Sequence, residues 1–532
     1  MMYEWKQTED SIWKIGKRNV LQVIFSRTML IMALIVIQFA YIIARMYTFA
    51  EHIPVILGSE MIAVAIILLF IINSQENPMI RLSWCFFVGV FPILGSVIYF
   101  VIHFDLGYRV IQKRILMMAK ESRKYTLEQS EILAQIKEKD YQTYCIAQYL
   151  NQYSGNNISA NSDVAYFSSG EMLFEEMIKQ LESATQYIFL EYFLISPGIM
   201  WNTILGILER KAKDSVDIKI LYDGSCSVTL LPYKYPKQIE KLGIQCKMFS
   251  PPIPFLSMHH NNRDHRKIMI IDGRVAFTGG INLCDEYINV NSPYGHWKDV
   301  GIMVNGDAVF EFTKIFMQMW SATINKKSSD LVFPNMQKYL PTKNDSKKIF
   351  KGYVIPYADH PVDDENIGKM VYMDILNQAK KYVYIMTPYL ILDNEMKCAI
   401  LFAAKRGIEV QIILPHIPDK KSVFALAREN YKSLLEAGVK VYEYTPGFIH
   451  AKVFVSDDER AVVGTINLDY RSLYWHYECA AYLYKVQAIK DIYSDFVETR
   501  NKCMKVTQET IKQQNVLGRV FVCILKIVAP LM

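Results

Sequence analysis

The chain has 532 residues, of which 51% are apolar, and its formal net charge is +6. This length leaves room for two or three domains, and the charge is too small for a dedicated nucleic-acid-binding protein. The nine cysteines are scattered, include no Cys-x-x-Cys pair and are odd in number, which argues against a disulfide framework and a cysteine-based zinc site.

Three strongly apolar segments come first, namely Thr28–Ala44, Pro54–Asn73 and Leu82–Ile102. About 20 apolar residues cross a bilayer, so each segment is a candidate span, although Pro92 and Gly95 lie inside the third. Lysines and arginines precede the first segment and follow the third, which places both flanks in the cytoplasm and requires an even number of crossings. One segment would then be interfacial or re-entrant. We therefore expect residues 1–110 to form an α-helical anchor of a multi-pass cell-membrane protein, with the rest of the chain at the cytoplasmic face.

Residues 111–160 alternate apolar and charged positions at helical spacing and are predicted to be a helical connector. Two halves, 161–335 and 345–510, then show the same strand–helix–strand order. The first half has Tyr187–Leu190, Trp201–Ala212 and Ile218–Tyr222, and the second has Tyr382–Met386, Glu395–Arg406 and Val410–Leu414. This alternation indicates an α/β fold with two pseudo-symmetric halves, each a mixed sheet flanked by helices.

Two further segments lie outside these halves. The polar tract Asn325–Lys348 is predicted to link them. The apolar tail, residues 515–532, is predicted to be an amphipathic helix that either lies on the bilayer or packs against the catalytic body.

One residue pattern occurs once in each half and is the most informative feature of the sequence. His265, Lys267 and Asp272 return in the same spacing as His450, Lys452 and Asp457. In both copies an asparagine follows 17 positions after the histidine, at Asn282 and Asn467. A single His-x-Lys arises by chance in most long chains, whereas two long matches in one register do not.

The repeated pattern suits the chemistry of a phosphodiester. This anionic group needs a nucleophile, an acid for the leaving oxygen and positive charge on its non-bridging oxygens. One imidazole from each half can supply the nucleophile and the acid, because its pKa lies near neutrality. The two lysines, with the amides of Asn282 and Asn467, would hold the oxygens, and the arrangement requires no metal.

Strand geometry divides the pattern into two faces. Ile268–Ile271 and Val453–Val455 are short apolar runs typical of buried strands. Because side chains alternate along a strand, the histidine and lysine of each copy share one face. Asp272 and Asp457 have the other parity, which favours a structural role in binding backbone donors at the following turns.

These residues resemble the phospholipase D superfamily and, more closely, bacterial cardiolipin synthases. The resemblance rests on Asn262–Lys267, Gly279–Asn282, Asp285–Tyr287, Trp297–Asp299, Thr387–Tyr389, Pro446–Lys452 and Gly464–Ser472. It covers most of the chain from about residue 60 onward. One position departs from the family, since His476 stands two residues before Glu478 where the family usually has an asparagine.

The resemblance implies roles for the site residues. Asp299 and Glu478 would orient the two histidines, with each acid able to serve the histidine of the opposite half. His265 would be the nucleophile that forms a phosphohistidine, and His450 the acid and base. Asp272 and Asp457 are counted with the family's catalytic motif. The residues by themselves leave the order of the two histidines symmetric.

The resemblance also implies a reaction, in which a phosphatidyl group passes from one phosphatidylglycerol to the hydroxyl of another, without a metal or other cofactor. The expected partners are phosphatidylglycerol and anionic membrane lipid, and not nucleic acid. Four alternatives remain open: a phospholipase D hydrolase, a phosphatidyltransferase with another alcohol acceptor, a membrane-anchored nuclease and a non-catalytic lipid-binding scaffold. The modest charge disfavours the nuclease, and the two intact motifs disfavour the scaffold.

Overall fold

The computed structural model describes residues 32–33, 35–40, 43, 53–103, 106–251, 261–324, 331–340, 351–363, 365–511 and 516–531. The chain divides into two compact units. The first unit comprises residues 1–105 with 253–260, and the second comprises residues 106–252 with 261–532.

The described part of the first unit is helical. It contains α1 (Ile53–Ile72), α2 (Pro78–Val90) and α3 (Pro92–His103). The segment predicted as a single span, Leu82–Ile102, is divided between α2 and α3, because Pro92 has no N–H and cannot continue the helix. Gly95 lets the two helices approach, since a Cβ at this position would lie 2.8 Å from the Phe87 carbonyl oxygen.

The other two candidate membrane spans of the sequence have different outcomes. About half of the segment Thr28–Ala44 lies outside the described residues, and Pro54–Asn73 corresponds to α1. Within the ranges that the structure describes, there is no helix with both the length and the apolar character needed to cross a bilayer.

The second unit opens with a helical connector and a first α/β half. The connector contains α4 (Leu106–Ser122), α5 (Ser130–Lys139) and α6 (Tyr141–Tyr153). The first half contains β1 (Ser162–Phe167), α7 (Gly170–Glu182), β2 (Tyr187–Tyr192), α8 (Ile199–Lys213), β3 (Asp217–Asp223), α9 (Cys226–Thr229), α10 (Tyr235–Glu240), β4 (Gln245–Phe249), β5 (Lys267–Ile271), β6 (Val275–Gly279), β7 (His296–Lys298), β8 (Gly301–Gly306) and α11 (Ala308–Ala322). Seven strands form a mixed sheet in the order β1-β8-β6-β5-β2-β3-β4.

The second half repeats this arrangement. It contains β9 (Tyr353–Asp359), α12 (Ile367–Gln378), β10 (Tyr382–Met386), α13 (Asn394–Lys405), β11 (Glu409–Pro415), α14 (Lys421–Glu436), β12 (Lys440–Tyr444), β13 (Gly447–Ile449), β14 (Val453–Ser456), β15 (Arg460–Gly464), β16 (Glu478–Tyr484), α15 (Ala488–Arg500), β17 (Cys503–Lys505), α16 (Gln508–Ile511) and α17 (Val516–Val528). Its sheet has the order β9-β16-β15-β14-β10-β11-β12-β17, which matches the first sheet strand for strand apart from the added β17. The prediction of two mixed sheets flanked by helices is confirmed.

The two sheets share one hydrophobic core. Every residue of α11 is buried, and the ring of Phe316 on this helix stacks on Phe189 of β2 at 4.9 Å. The same cluster of buried side chains includes Ile268 on β5 and Val453 on β14, so it extends across both halves. Burial of this apolar surface holds the two motif strands in a fixed relation.

The tract predicted as a polar linker is partly integrated into this core. Its described middle, residues 331–340, buries Leu331, Phe333 and Met336. The ring of Tyr339 lies 5.0 Å from that of Tyr187 on β2. The composition of the tract is polar, but these few apolar side chains attach it to the first sheet.

The apolar tail packs against the catalytic body. Val522 of α17 is buried, and Nζ of Lys526 lies 2.6 Å from Oε1 of Glu429 on α14. Of the two arrangements expected for this segment, the structure shows the intramolecular one, while Phe521 and Ile524 remain exposed.

Candidate active site

Each motif histidine is presented by a short backbone pairing between the two halves. The N–H of His265 donates to the Tyr477 carbonyl at 2.9 Å, and the N–H of His450 donates to the Lys298 carbonyl at 2.7 Å. Around His450 the pairing is a two-stranded parallel ladder between β7 and β13. The residue that follows Tyr477 is Glu478, and the residue that follows Lys298 is Asp299. Each histidine therefore meets a carboxylate that comes from the opposite half.

The two acids bind the inner ring nitrogens of the histidines. Nδ1 of His265 lies 2.9 and 3.0 Å from the two carboxylate oxygens of Glu478. Nδ1 of His450 lies 2.7 Å from Oδ2 of Asp299. An Nδ1–H that donates to a carboxylate fixes the tautomer and leaves the lone pair on Nε2. Both imidazoles are thereby prepared to accept a proton or to attack at Nε2.

Burial sets the charge state of both pairs. Burial lowers the pKa of His265 well below its usual value, and the Glu478 carboxylate opposes this only in part. Burial and the neighbouring Lys452 lower the pKa of His450 to about 4, against the opposing effect of Asp299. Burial raises the pKa of each acid, but the paired histidine outweighs it, so the pKa values of Glu478 and Asp299 lie below their ordinary range. At neutral pH each pair is therefore a neutral imidazole beside a carboxylate.

The two histidines line one cavity. It has a volume of about 510 Å³, and the exposed fractions of His265 and His450 are only 6% and 7%. Asn282 and Asn467 also line it. The aromatic part of the wall consists of Phe193, Tyr287, Trp297, Tyr389, Phe448 and Tyr470. The cavity therefore offers a polar ligand two imidazoles and, beside them, an aromatic surface for apolar portions of the same molecule.

The two lysines lie behind the histidines and do not line the cavity wall. Nζ of Lys267 donates to the His265 carbonyl at 2.6 Å. Nζ of Lys452 lies 2.8 and 2.9 Å from the ring nitrogens of His450 and also donates to its carbonyl. Burial lowers the pKa of Lys267 to about 8 and that of Lys452 to about 7. Contact of these ammonium groups with phosphate oxygens stays a prediction.

The two asparagines differ in their contacts. Oδ1 of Asn282 accepts from the Leu194 N–H at 3.0 Å, and its Nδ2 donates to the Tyr287 hydroxyl at 2.6 Å. Oδ1 of Asn467 is buried and has no hydrogen bond. Asn467 is thus freer than Asn282 to bind a ligand in the cavity.

Asp272 and Asp457 are directed away from the cavity. The carboxylate of Asp272 accepts from the backbone N–H groups of Thr185, Gln186 and Tyr187, each at 2.8 Å. Grouping these two aspartates with the catalytic residues is therefore corrected. Parity along the strand predicts their separation from the histidines correctly, but the donors they bind lie at the start of the neighbouring strand and not in their own turns.

The carboxylate of Asp457 occupies the matching position in the second half. It accepts from the backbone N–H groups of Lys380, Lys381 and Tyr382 at 2.7–3.0 Å. Asp272 and Asp457 both have φ near +55°, in the tight turns that end β5 and β14. Each aspartate therefore anchors the beginning of the central strand, β2 or β10, of its own sheet.

Several residues at the site have no signal in the repeated motif. The hydroxyl of Thr465 donates to Oε2 of Glu478, which holds that acid in place. The rings of Tyr287 and Trp297 each lie 5.4 Å from that of His450. His476 lines the cavity, with its ring 5.3 Å from that of His265. Tyr287, Trp297 and Thr465 lie in segments that carry the family resemblance, and His476 is noticed as a departure from the family pattern, but the sequence indicates no contact for any of them.

Comparison with known proteins gives consistent similarities. The family model described as "Cardiolipin synthase, PLD-like domain" matches residues 177–320 and 372–500. A cardiolipin synthase from Halalkalibacterium halodurans is 32% identical over 89% of this chain and 93% of its own length. Another from Clostridium perfringens is 32% identical over 86% of this chain and 95% of its own length.

Two further similarities concern a sequence match of higher identity and a match in fold. A protein from Streptococcus mutans described as uncharacterized is 48% identical over 87% of this chain and 99% of its own length. The crystal structure of phosphatidylserine synthase from Haemophilus influenzae superimposes with a TM-score of 0.53 at 14% identity, covering 74% of this chain and all of that chain. This last likeness concerns the fold alone.

Proposed function

The chain belongs to the cardiolipin synthase family of phospholipase D-like proteins, and we propose that it transfers a phosphatidyl group from one phosphatidylglycerol to the hydroxyl of another. The products are cardiolipin and glycerol. The observation that carries this proposal is that two imidazoles from opposite halves, each bound to an acid of the other half, line a single cavity.

The first step forms a covalent intermediate. Nε2 of His265 attacks the phosphorus of a bound phosphatidylglycerol, and the bond from phosphorus to the glycerol oxygen breaks. His450, in its protonated form, gives a proton to this oxygen, and glycerol leaves. The anionic phosphodiester and the Asp299 carboxylate both favour the imidazolium of His450, which offsets the low pKa that burial imposes in the free protein.

The second step reverses the roles around the same phosphorus. His450, now neutral, removes the proton from the primary hydroxyl of a second phosphatidylglycerol. The alkoxide oxygen attacks the phosphatidyl-His265 intermediate, the P–N bond breaks, and His265 returns to its neutral state. Lys267, Lys452 and Asn467 would supply the positive charge and donors for the non-bridging oxygens.

The cavity wall supports a lipid alcohol, and not water, as the acceptor. Phe193, Tyr287, Trp297 and Phe448 give the wall a large apolar area. Such a wall disfavours free water near the intermediate, and hydrolysis requires that water. It also suits the glycerol backbones and the first methylenes of two phospholipids better than it suits a nucleic acid.

We also propose that residues 1–110 anchor the protein at the cytoplasmic face of the cell membrane, where both substrates reside. Several large apolar side chains of α1 are strongly exposed, among them Met61, Ile62, Ile66 and Leu69. Contiguous exposed apolar surface of this kind favours contact with lipid. The halves 161–335 and 345–510 would then act on headgroups at the membrane surface.

The reaction is tested with the purified full-length chain in mixed micelles that contain phosphatidylglycerol labelled separately in its acyl chains and its headgroup glycerol. We expect acyl label in cardiolipin and one released glycerol for each cardiolipin formed. The matched control is His416→Ala, because His416 also pairs with a carboxylate, Glu443, but does not line the cavity. Acyl label in phosphatidic acid would instead identify a hydrolase, and unchanged lipid would contradict both activities.

A further inference from the structure

A third imidazole, that of His476, lies beside the candidate nucleophile and is not used in the proposed reaction. The exposed fraction of His476 is 8%, and neither of its ring nitrogens makes a hydrogen bond. The nearest acid atom is Oε1 of Glu478, 3.5 Å from Nδ1 of His476. A buried polar ring without hydrogen bonds is costly, which indicates that something else satisfies it.

The chain fixes this ring in place from both sides. The N–H of His476 donates to the Arg471 carbonyl at 2.8 Å, so the backbone is held at the end of a helical turn. The ring lies 5.3 Å from that of His265 and 6.5 Å from that of Phe193. His476 is thus positioned toward the same carboxylate that binds His265.

We propose that His265, His476 and Glu478 form an inhibitory zinc site. Their ligand atoms all lie within 4.8 Å of one another. Zn–N and Zn–O bonds of about 2.0–2.1 Å place the ligand atoms of a tetrahedral site roughly 3.3 Å apart. Oε1 of Glu478 lies 2.9 Å from Nδ1 of His265 and 3.5 Å from Nδ1 of His476, close to that separation on both sides.

The donor set selects the class of metal. Two imidazole nitrogens and one carboxylate oxygen suit Zn²⁺ and related divalent transition metals better than Mg²⁺ or Ca²⁺, which prefer oxygen. Three protein ligands leave the fourth position open, and both histidines line the cavity from which water can fill it. The scattered cysteines argue against a cysteine-based zinc site, but they do not argue against this site, because none of its ligands is a cysteine.

Metal binding at Nδ1 removes the nucleophile. In the metal-free protein at neutral pH, Nδ1 of the neutral His265 imidazole carries the proton that it donates to Glu478, and Nε2 carries the lone pair. Zn²⁺ takes the Nδ1 lone pair, so the proton moves to Nε2, and that nitrogen can no longer attack phosphorus. The metal also occupies Glu478, which orients the ring. The inhibitory effect rests on the proposed function, whereas the binding itself does not.

The test measures binding without requiring turnover. The purified full-length chain, first freed of metal with a chelator, is titrated with Zn²⁺ against a chromophoric chelator and separately with Co²⁺ by visible absorption. We expect one site that His476→Asn weakens at least tenfold, with loss of the Co²⁺ bands. His416→Asn is the matched control and should bind as the unaltered chain does. Equal affinity in His476→Asn would overturn the proposal.

Two readouts complete the test. Zn²⁺ should protect His265 and His476 of the unaltered chain, but not His450, from diethylpyrocarbonate as mapped by mass spectrometry, which remains informative if His476→Asn fails to fold. Equal modification of His476 with and without Zn²⁺ would contradict the site. In the phosphatidylglycerol assay, His476→Asn should need at least tenfold more Zn²⁺ for half-inhibition of its own rate. If binding holds and no transfer occurs under any condition, the proposed function fails and the metal site stands.

Discussion

The two halves present the same acid–imidazole pair in different surroundings. Lys452 contacts both ring nitrogens of His450, whereas Lys267 contacts only the carbonyl of His265. The ring of His450 is enclosed by Tyr287, Trp297 and Phe448, but that of His265 adjoins Phe193 and His476. Lys267 makes no hydrogen bond to the ring of His265, which favours His265 as the nucleophile and leaves the acid and base role to His450. We therefore expect the symmetry of the motifs not to extend to the roles of the two histidines.

The largest losses of activity that distinguish the two halves are expected when the orienting acids, Glu478 and Asp299, are replaced. Glu478→Gln should lower kcat by roughly 10³- to 10⁴-fold, because an amide can hold His265 in the wrong tautomer. Asp299→Asn removes in addition the charge that stabilises the His450 imidazolium, so we expect an equal or greater loss. The rates of glycerol release by the two variants measure this difference. A loss of less than about tenfold in either variant would show that the replaced acid is not needed to orient its histidine.

The pH dependence distinguishes the two lysines. An ammonium is charged below its pKa, so Lys452, at about 7, and then Lys267, at about 8, lose their charge as pH rises. Because kcat/KM reports on the free enzyme, in which the low pKa of His450 already makes its protonated form scarcer as pH rises, we expect the fall in kcat/KM to steepen above pH 7, by about a further tenfold per unit once one required ammonium is neutral.

The matched variant for this profile is Lys452→Arg, which keeps its charge at all accessible pH values. We expect the steeper part of its fall in kcat/KM to begin near pH 8, where only Lys267 loses its proton. A profile whose slope does not change between pH 6 and pH 9 in the unaltered chain would show that neither buried ammonium is needed.

A difference in stability is expected at the residue between the histidine and lysine of each motif. Arg266 is fully buried, donates from Nε to the Glu478 carbonyl at 3.2 Å and lies 2.8 Å from Nδ1 of His360. Ala451 holds the equivalent place in the second half. Arg266→Ala should lower the free energy of unfolding by about 3 kcal/mol, because it leaves buried polar groups without their partner.

The control for this variant is Ala451→Gly, which we expect to cost about 1 kcal/mol through backbone entropy and the loss of one buried methyl group. The melting temperatures of both variants, measured in the same detergent, give the comparison. Equal shifts would mean that the charge of Arg266 has no greater structural weight than the methyl group of Ala451.

The smallest effects should be equal in the two halves. Asp272→Ala and Asp457→Ala each leave three backbone N–H groups without an acceptor at the start of a central strand. We expect each to cost about 1–2 kcal/mol of stability and to slow turnover far less than the Asp299 and Glu478 variants. A loss of turnover as large as theirs, in protein shown to be folded, would return these aspartates to the catalytic set.

The sequence predicts the strands of this fold well because their apolar runs are short and clearly bounded. The strand expected at Tyr382–Met386 has those bounds in the structure, and the helix expected at Glu395–Arg406 is displaced by one residue. The polar composition of Asn325–Lys348 concealed four buried side chains in its described part, since scattered apolar residues produce no periodic signal.

The site is only partly predictable for a different reason. Motif spacing identifies the histidines and lysines, because each motif is local. His265 and Glu478 are 213 residues apart, and their pairing depends on how the two halves face each other. Phe193 belongs to no motif and reaches the site only through the fold, and the bond from Thr465 to Glu478 is not indicated by the motif that contains Thr465. The contact of the Lys452 ammonium with the ring nitrogens of His450 likewise depends on packing, which the spacing of the motif does not predict.

The central claim is that His265 alone becomes covalently attached to phosphorus. The most direct measurement is a rapid quench of the full-length chain in denaturant at neutral pH, after mixing with phosphatidylglycerol labelled in its acyl chains, followed by mass-spectrometric mapping of the labelled peptide. Label should appear on His265 in the unaltered chain and should be absent from His265→Ala. Label on His450, or a labelled His265→Ala protein, would contradict the assignment of the two halves.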